Sequence, residues 1–303
     1  MTITPIRVLL QTTIPESKDD WTVDRFSLLR GYLASLIDGN DHALAEVTAR
    51  NRESDGNGDD PVLKVLDRSA YDELWLFAVD AGKGLTAADC AGITRFRQRG
   101  GGILLTRDHQ DLRSSSCYMG GIGAAHFFHS RNPEPDAARR VIDDAYTRAI
   151  SWPNYSFGPK GEYQKITAVE PVHDLLRNPA SPTGRVRWIP AHPHGGAVGV
   201  PAGELHARVI AMGKSRVTGR PLKLAVAFES YTYADGNRLG RGVAESSFHH
   251  FADYNWDTTS GCPSFVDEPP GDAIKRSPQV LEDMKAYVRN LALWLSPSGR
   301  MRE

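Results

Sequence analysis

Short, near-continuous apolar runs that alternate with stretches of helical spacing limit this chain more than any other feature. Ile6–Ile14 (IRVLLQTTI), Glu73–Val79 (ELWLFAV) and Ile103–Thr106 (ILLT) are rich in aliphatic and β-branched residues. Runs of this kind suit strands buried on both faces, as in a parallel sheet. Between them lie helical patterns. Asp24 precedes RFSLLRGYLASLI, where Phe26, Leu29, Leu33, Leu36 and Ile37 recur at helical spacing, so Asp24 is expected as N-cap. Thr86 is expected to cap a helix carrying Leu85, Cys90, Ile93 and Phe96, which Gly100-Gly101-Gly102 ends. With a strand at Leu44–Thr48 and a polar loop over 51–61, the order reads β-α-β-loop-β-α-β. That order predicts a doubly wound parallel sheet.

Further on, Asp136–Ile150 reads as a helix and 151–187 as an insertion rich in Pro, Gly and aromatic residues. Strands are expected at Arg187–Ala191, Ala207–Met212, Leu222–Glu229 and Gly242–Phe248, and a closing helix at Pro278–Leu295. Strand signals continue to the end, so the 303 residues read as one domain, with insertions near 112–187 and 253–277. A net charge of -1 gives no basic field for nucleic acid. No apolar run reaches the roughly 20 residues that span a bilayer. MTITPIRVLLQTTIPES lacks a basic n-region and a small-residue cleavage site. The three cysteines, at 90, 117 and 262, are odd in number and far apart, which suits a reducing compartment. The expectation is a cytoplasmic protein with a small-molecule ligand, no nucleic-acid or membrane partner, and self-association left open.

Two polar clusters fall at expected strand ends, where open α/β sheets bind ligands. One is Thr106-Arg107-Asp108-His109-Gln110-Asp111. The other is Glu245-Ser246-Ser247-Phe248-His249-His250-Phe251-Ala252-Asp253. Asp108, His109, His249 and His250 are the candidate acid–base residues. Arg107, Gln110, Asp111, Glu245 and Asp253 are the candidates for substrate binding. An adjacent carboxylate and imidazole suit paired acid and base work, and Arg107 suits an anionic group. The competing reading is a capping and salt-bridge network. On a strand, His249 and His250 would face opposite sides, leaving one of them in the pocket.

Other signals are weaker. His192 and His194 share a face if extended, and His126 and His129 if helical. A metal set built on His109, His249 or His250, with Asp108 or Asp253, lacks any HExxH-like spacing. No cofactor is required, and a metal stays open. The run from Asp55 lacks the turn Gly and the bidentate Glu of a calcium loop. Gly121-Ile122-Gly123 starts a dinucleotide fingerprint that ends in His126. There is no P-loop and no G-x-S-x-G elbow. Cys117 with His109 could form a nucleophile pair or be an inert small residue.

Three stretches carry a family resemblance: the N-terminal strand and helix, YDELWLFAVDAGKGLTAADCAGITRFRQRGGGILLTRDH, and LAVAFESYTYADGNRLGRGVAESSFHHFAD. They resemble the class I glutamine amidotransferase-like superfamily, and within it the ThuA-like (trehalose-utilisation) group. The resemblance implies a flavodoxin-like, mostly parallel sheet with helices on both faces and irregular insertions. It implies a pocket in which the turn after ILLT faces the loop after GVAESSF. True amidotransferases carry a Cys on that turn, supported by a His and a Glu. Here it carries Arg107, Asp108 and His109, so Cys-dependent glutamine hydrolysis is not expected. In the ThuA-like group the turn carries His, and His109 matches it at a shift of about two positions. The functions to weigh are a hydrolase, isomerase or lyase acting on a small polar metabolite, a non-catalytic ligand- or protein-binding relative, and a metal-dependent hydrolase. The segment 151–163 (SWPNYSFGPKGEY) reads as packed insertion, lid or recognition surface.

Overall fold

The structure is a computed structural model, and it describes residues 4–13, 22–78, 85–107, 119–127, 163–190, 197–214, 221–261 and 272–297. Its strands are β1 (Ile6–Thr12), β2 (Ala45–Arg50), β3 (Glu73–Ala78), β4 (Gly102–Arg107), β5 (His126–Phe127), β6 (Tyr163–Lys165), β7 (Thr167–Ala168), β8 (Trp188–Pro190), β9 (Ala197–Val198), β10 (Ala207–Lys214), β11 (Pro221–Phe228), β12 (Tyr231–Thr232), β13 (Arg238–Leu239) and β14 (Gly242–Glu245). Its α-helices are α1 (Ser27–Ala34), α2 (Ala87–Gln98), α3 (Asp253–Trp256), α4 (Ala273–Arg276) and α5 (Pro278–Leu295).

The central sheet has eight strands in the order β2-β1-β3-β4-β14-β11-β10-β7. The first five are parallel to their neighbours. The last three join as antiparallel strands. Period-2 alternation divides the buried residues between the two faces. Trp75, Phe77, Leu104 and Val243 pack with Leu29, Leu33, Met284, Val288 and Leu291 of α1 and α5. Leu74, Leu76, Ile103 and Leu105 face the other way, onto Ile93 and Phe96 of α2. Helices therefore cover both faces of a mostly parallel sheet, the flavodoxin-like arrangement expected from the sequence.

Local chemistry explains the element ends. Thr86 caps α2 in a reciprocal box: its hydroxyl accepts from Asp89 N–H, and the Asp89 carboxylate accepts from Thr86 N–H. Gly100 follows α2 at φ +96, a conformation that favours glycine. A Cβ on Gly102 would lie 2.3 Å from the Leu295 carbonyl oxygen, so glycine lets the last turn of α5 sit directly on β4.

Several expectations change. Asp24 lies inside a short 3-10 turn, Val23–Phe26, and makes no side-chain cap. The donors at the start of α1 go instead to Asp253, 226 residues on from Ser27. The strand expected over Gly242–Phe248 stops at Glu245, and His249–Phe251 form a 3-10 turn. Part of the expected insertion is built into the fold, because β7 pairs with β10 as the last strand of the sheet. The expected helix Asp136–Ile150 lies outside the described residues, as does all of 151–163 except Tyr163. Cys90 is disulfide-bonded, which departs from the expectation of three reduced cysteines. Its partner lies outside the described residues, which hold no other cysteine.

Candidate functional site

β4 and β14 are parallel neighbours, and Thr106 pairs in register with Glu245. The two polar clusters of the sequence therefore leave the sheet from adjacent strands, at the same carboxyl edge. Such an edge is where open α/β sheets place ligands. Arg107 is placed by its backbone as the last residue of β4. Asp108, His109, Gln110 and Asp111 lie outside the described residues.

The β14 side of this edge is closely organised. Glu245 is buried and faces α5. One of its oxygens accepts a 2.5 Å hydrogen bond from the Tyr287 hydroxyl. The other lies 2.5 Å from His250 Nε2. Burial, and next the nearby Glu245 charge, push the Tyr287 phenol well above its ordinary pKa, so it stays protonated and donates. Around these three groups the walls are apolar. Ile166, Leu176, Ile189, Ala211, Leu224 and Ala225 enclose with them a cavity of about 20 Å³. That is room for one water-sized group.

His249 and His250 sit in a turn rather than on a strand, and both are buried. His249 Nδ1 lies 3.0 Å from the Tyr254 hydroxyl, and its ring stacks on Phe248 at 4.6 Å. The turn is braced from below: Asn255 donates to the His249 carbonyl at 2.5 Å and Trp256 Nε1 to the His250 carbonyl at 2.8 Å. Neither histidine is at the surface: His250 lines the small cavity, and His249 is packed against Tyr254 and Phe248.

Asp253, expected to bind substrate, is instead occupied as a helix cap. Its oxygens accept from Ser27 N–H at 3.0 Å, the Ser27 hydroxyl at 2.5 Å and Leu28 N–H at 2.8 Å. A carboxylate at a helix N-terminus meets unsatisfied donors and the positive end of the helix dipole. Glu245, also expected to bind substrate, holds Tyr287 and His250 with its two oxygens at the wall of the small cavity.

His126 is fully buried, with Nε2 3.0 Å from the Glu245 carbonyl. His129, His192, His194 and Cys117 lie outside the described residues. Among the described residues, no group of three or more His, Cys, Asp and Glu comes together in a way that could hold a metal ion. Nor does a calcium loop form at Asp55. Its carboxylate accepts from Asn57 and Asp59 N–H and pairs with Lys64, an ordinary side-chain-braced turn. Nearby, Arg50 and Gln11 bond Asp60, and Arg52 pairs with Asp89, which fastens the 51–61 loop to β1, β2 and α2.

Sequence reasoning assigned no functional role to three residues, Thr106, Tyr287 and Gln164. Tyr287 reads there as one apolar position of a helix, and only its contact with Glu245 gives it a polar role. Thr106 reads as the end of a strand, and Gln164 lies in a segment without periodicity. Thr106 opens the first polar cluster without a role of its own, and no sequence signal marks Gln164.

The sheet order and the helices on both faces define a doubly wound α/β protein with a polar cluster at its carboxyl edge. No family model matches the sequence, and no curated protein matches it either. Among solved structures, the crystal structure of a proposed ThuA-like protein from Parabacteroides merdae is similar over 80% of this chain and 79% of that one, at 14% identity and a TM-score of 0.43. No helix among the described residues is long and apolar enough to cross a membrane.

Proposed function

We propose that the protein is an enzyme that acts on a small polar metabolite by acid–base chemistry at the carboxyl edge between β4 and β14. The observation that carries this reading is the register of Thr106 with Glu245, which brings the two polar sequence clusters to one place. In this reading Asp108 and His109, on the turn after β4, exchange protons with the substrate. Arg107, Gln110 and Asp111 orient it. Glu245 and Tyr287 fix the tautomer and position of His250 from behind, as a buried carboxylate does for an imidazole. His249 belongs to the same edge, locked by Tyr254. The turn carries no cysteine, so the chemistry is a hydrolysis, isomerisation or elimination without a thioester. Membership of the ThuA-like group belongs to the same proposal, supported by the sequence resemblance and by the strand order.

The test is consumption of a mixed metabolite pool by the purified protein, followed by mass spectrometry. Asp108→Asn and His109→Ala are each expected to abolish the turnover seen with the wild type while leaving the circular dichroism spectrum unchanged. Full turnover in both variants would overturn the assignment.

A second reading is favoured by a specific observation. Glu245, His249 and Asp253 already have partners inside the protein, and His250 is closed in by Glu245. An edge filled in this way suits a member that binds a ligand or a protein without chemistry, on a scaffold used for many functions. Saturable binding of a metabolite that the protein leaves unchanged would favour it.

A further inference from the structure

Gln164, on β6, is fully buried, and neither atom of its side-chain amide has a hydrogen-bond partner among the described residues. A buried amide without partners costs stability, and an apolar residue of the same volume would serve packing better. Its place is informative. Gln164 pairs across the ladder with Ile189 of β8. Cross-strand partners project from the same face. Ile189 lines the small cavity shared by Glu245, His250 and Tyr287, and β8 packs against the turn that carries His250. Beside Glu245 in the sheet stands Thr106, on the same face. Thr106 is also fully buried, with no partner for its hydroxyl among the described residues.

We propose that Gln164 and Thr106 are ligand-reading residues of the carboxyl-edge site. They take a small neutral group that offers a hydrogen-bond donor and acceptor together and fits the space of one water, as a hydroxyl does. The inference rests on the reading of this edge as a ligand site, and it adds the chemical class of the ligand. The unused groups are themselves neutral, and the nearby Glu245 carboxylate is already held by Tyr287 and His250. An ion entering this layer would be buried without a counter-ion, which is far more costly than burying a paired amide or hydroxyl. The strand ladder of β6 and β8 acquires a role as the wall that carries the reader.

The experiment follows the side-chain amide resonances of Gln164 in the full-length, nitrogen-15-labelled protein, assigned by their loss in Gln164→Leu. Methanol, whose hydroxyl is water-sized, is the neutral probe, and acetamide is a neutral control too large for the space. Acetate and methylammonium are charged controls of similar size. A saturable shift with methanol is expected, while acetamide and the ions leave the resonances in place. Thr106→Val is expected to weaken the response several-fold. Should Gln164→Leu disturb the fold, Gln164→Asn keeps the amide with a shorter reach and is expected to weaken the response likewise. No shift with methanol, or equal shifts from acetamide or the ions, overturns the proposal. Failure of the acid–base reading shows separately, in the turnover of the Asp108 and His109 variants, which leave the Gln164 response intact.

Discussion

Glu73 opens β3 with no exposed surface, and one of its carboxyl oxygens accepts from Trp75 Nε1 at 2.8 Å while the other has no partner among the described residues. Burial, opposed by the Trp75 bond, raises its pKa well above the ordinary 4.5. The folded protein thus holds a proton that the unfolded chain releases as pH rises. Its stabilising contribution is complete below the unfolded pKa and is lost as pH climbs through the folded one. Glu73→Gln keeps the shape without the titration. It is expected to match the wild type in acid and to exceed it at neutral pH, by urea unfolding at several pH values. Identical pH profiles for the two proteins would refute this account. Asp253 gives a second expectation at this scale. Removing a cap of this type costs about 1–2 kcal/mol, so Asp253→Ala should lower the thermal midpoint. Asp253→Asn, which still accepts hydrogen bonds, should recover part of the loss. Equal midpoints for both variants would mean that the cap carries no stability.

Elements were read from the sequence where burial on two faces left a clear pattern. β1, β3, β4 and α5 fall within a residue or two of their expected bounds, because continuous apolar runs and a 3.6-residue stripe need little tertiary context. The short strands β6 and β7 form only by pairing with Ile189, Met212 and their neighbours, and so leave no local signal, whereas β8 falls within the strand expected at Arg187–Ala191. The same holds for the start of α1, whose cap, Asp253, lies at the start of α3, far along the chain. Contact between α5 and β4 depends on a missing side chain. Gly102→Ala would place a methyl group 2.3 Å from the Leu295 carbonyl, backbone against backbone, where no rotamer change can relieve it. The expected result is a loss of about 1–3 kcal/mol, with the last turn of α5 exchanging its amide hydrogens faster than in the wild type. Unchanged protection of that turn would show that the helix end moves away without cost.

For the whole molecule, periodicity made the site legible as two polar clusters, and only the family resemblance implied that they face each other. Their sequence separation hides that β14 inserts beside β4, a fact of topology that periodicity does not carry. Nor could the sequence show which residues were already committed: Asp253 to α1, Glu245 to α5 and β14's own turn. The cysteines are a parallel case. Three widely spaced cysteines read as reduced, yet Cys90, buried on α2, is disulfide-bonded. A disulfide of this kind contributes about 2–4 kcal/mol by restricting the unfolded state. Of three cysteines two are in the bond, so protein purified without reductant should titrate one thiol per chain after denaturation, and three after reduction. Reduction should also lower the unfolding midpoint in urea. Three thiols before reduction would remove the link and restore the expectation of a reducing compartment. One thiol, with a lowered midpoint on reduction, would place folding of this chain where disulfides persist.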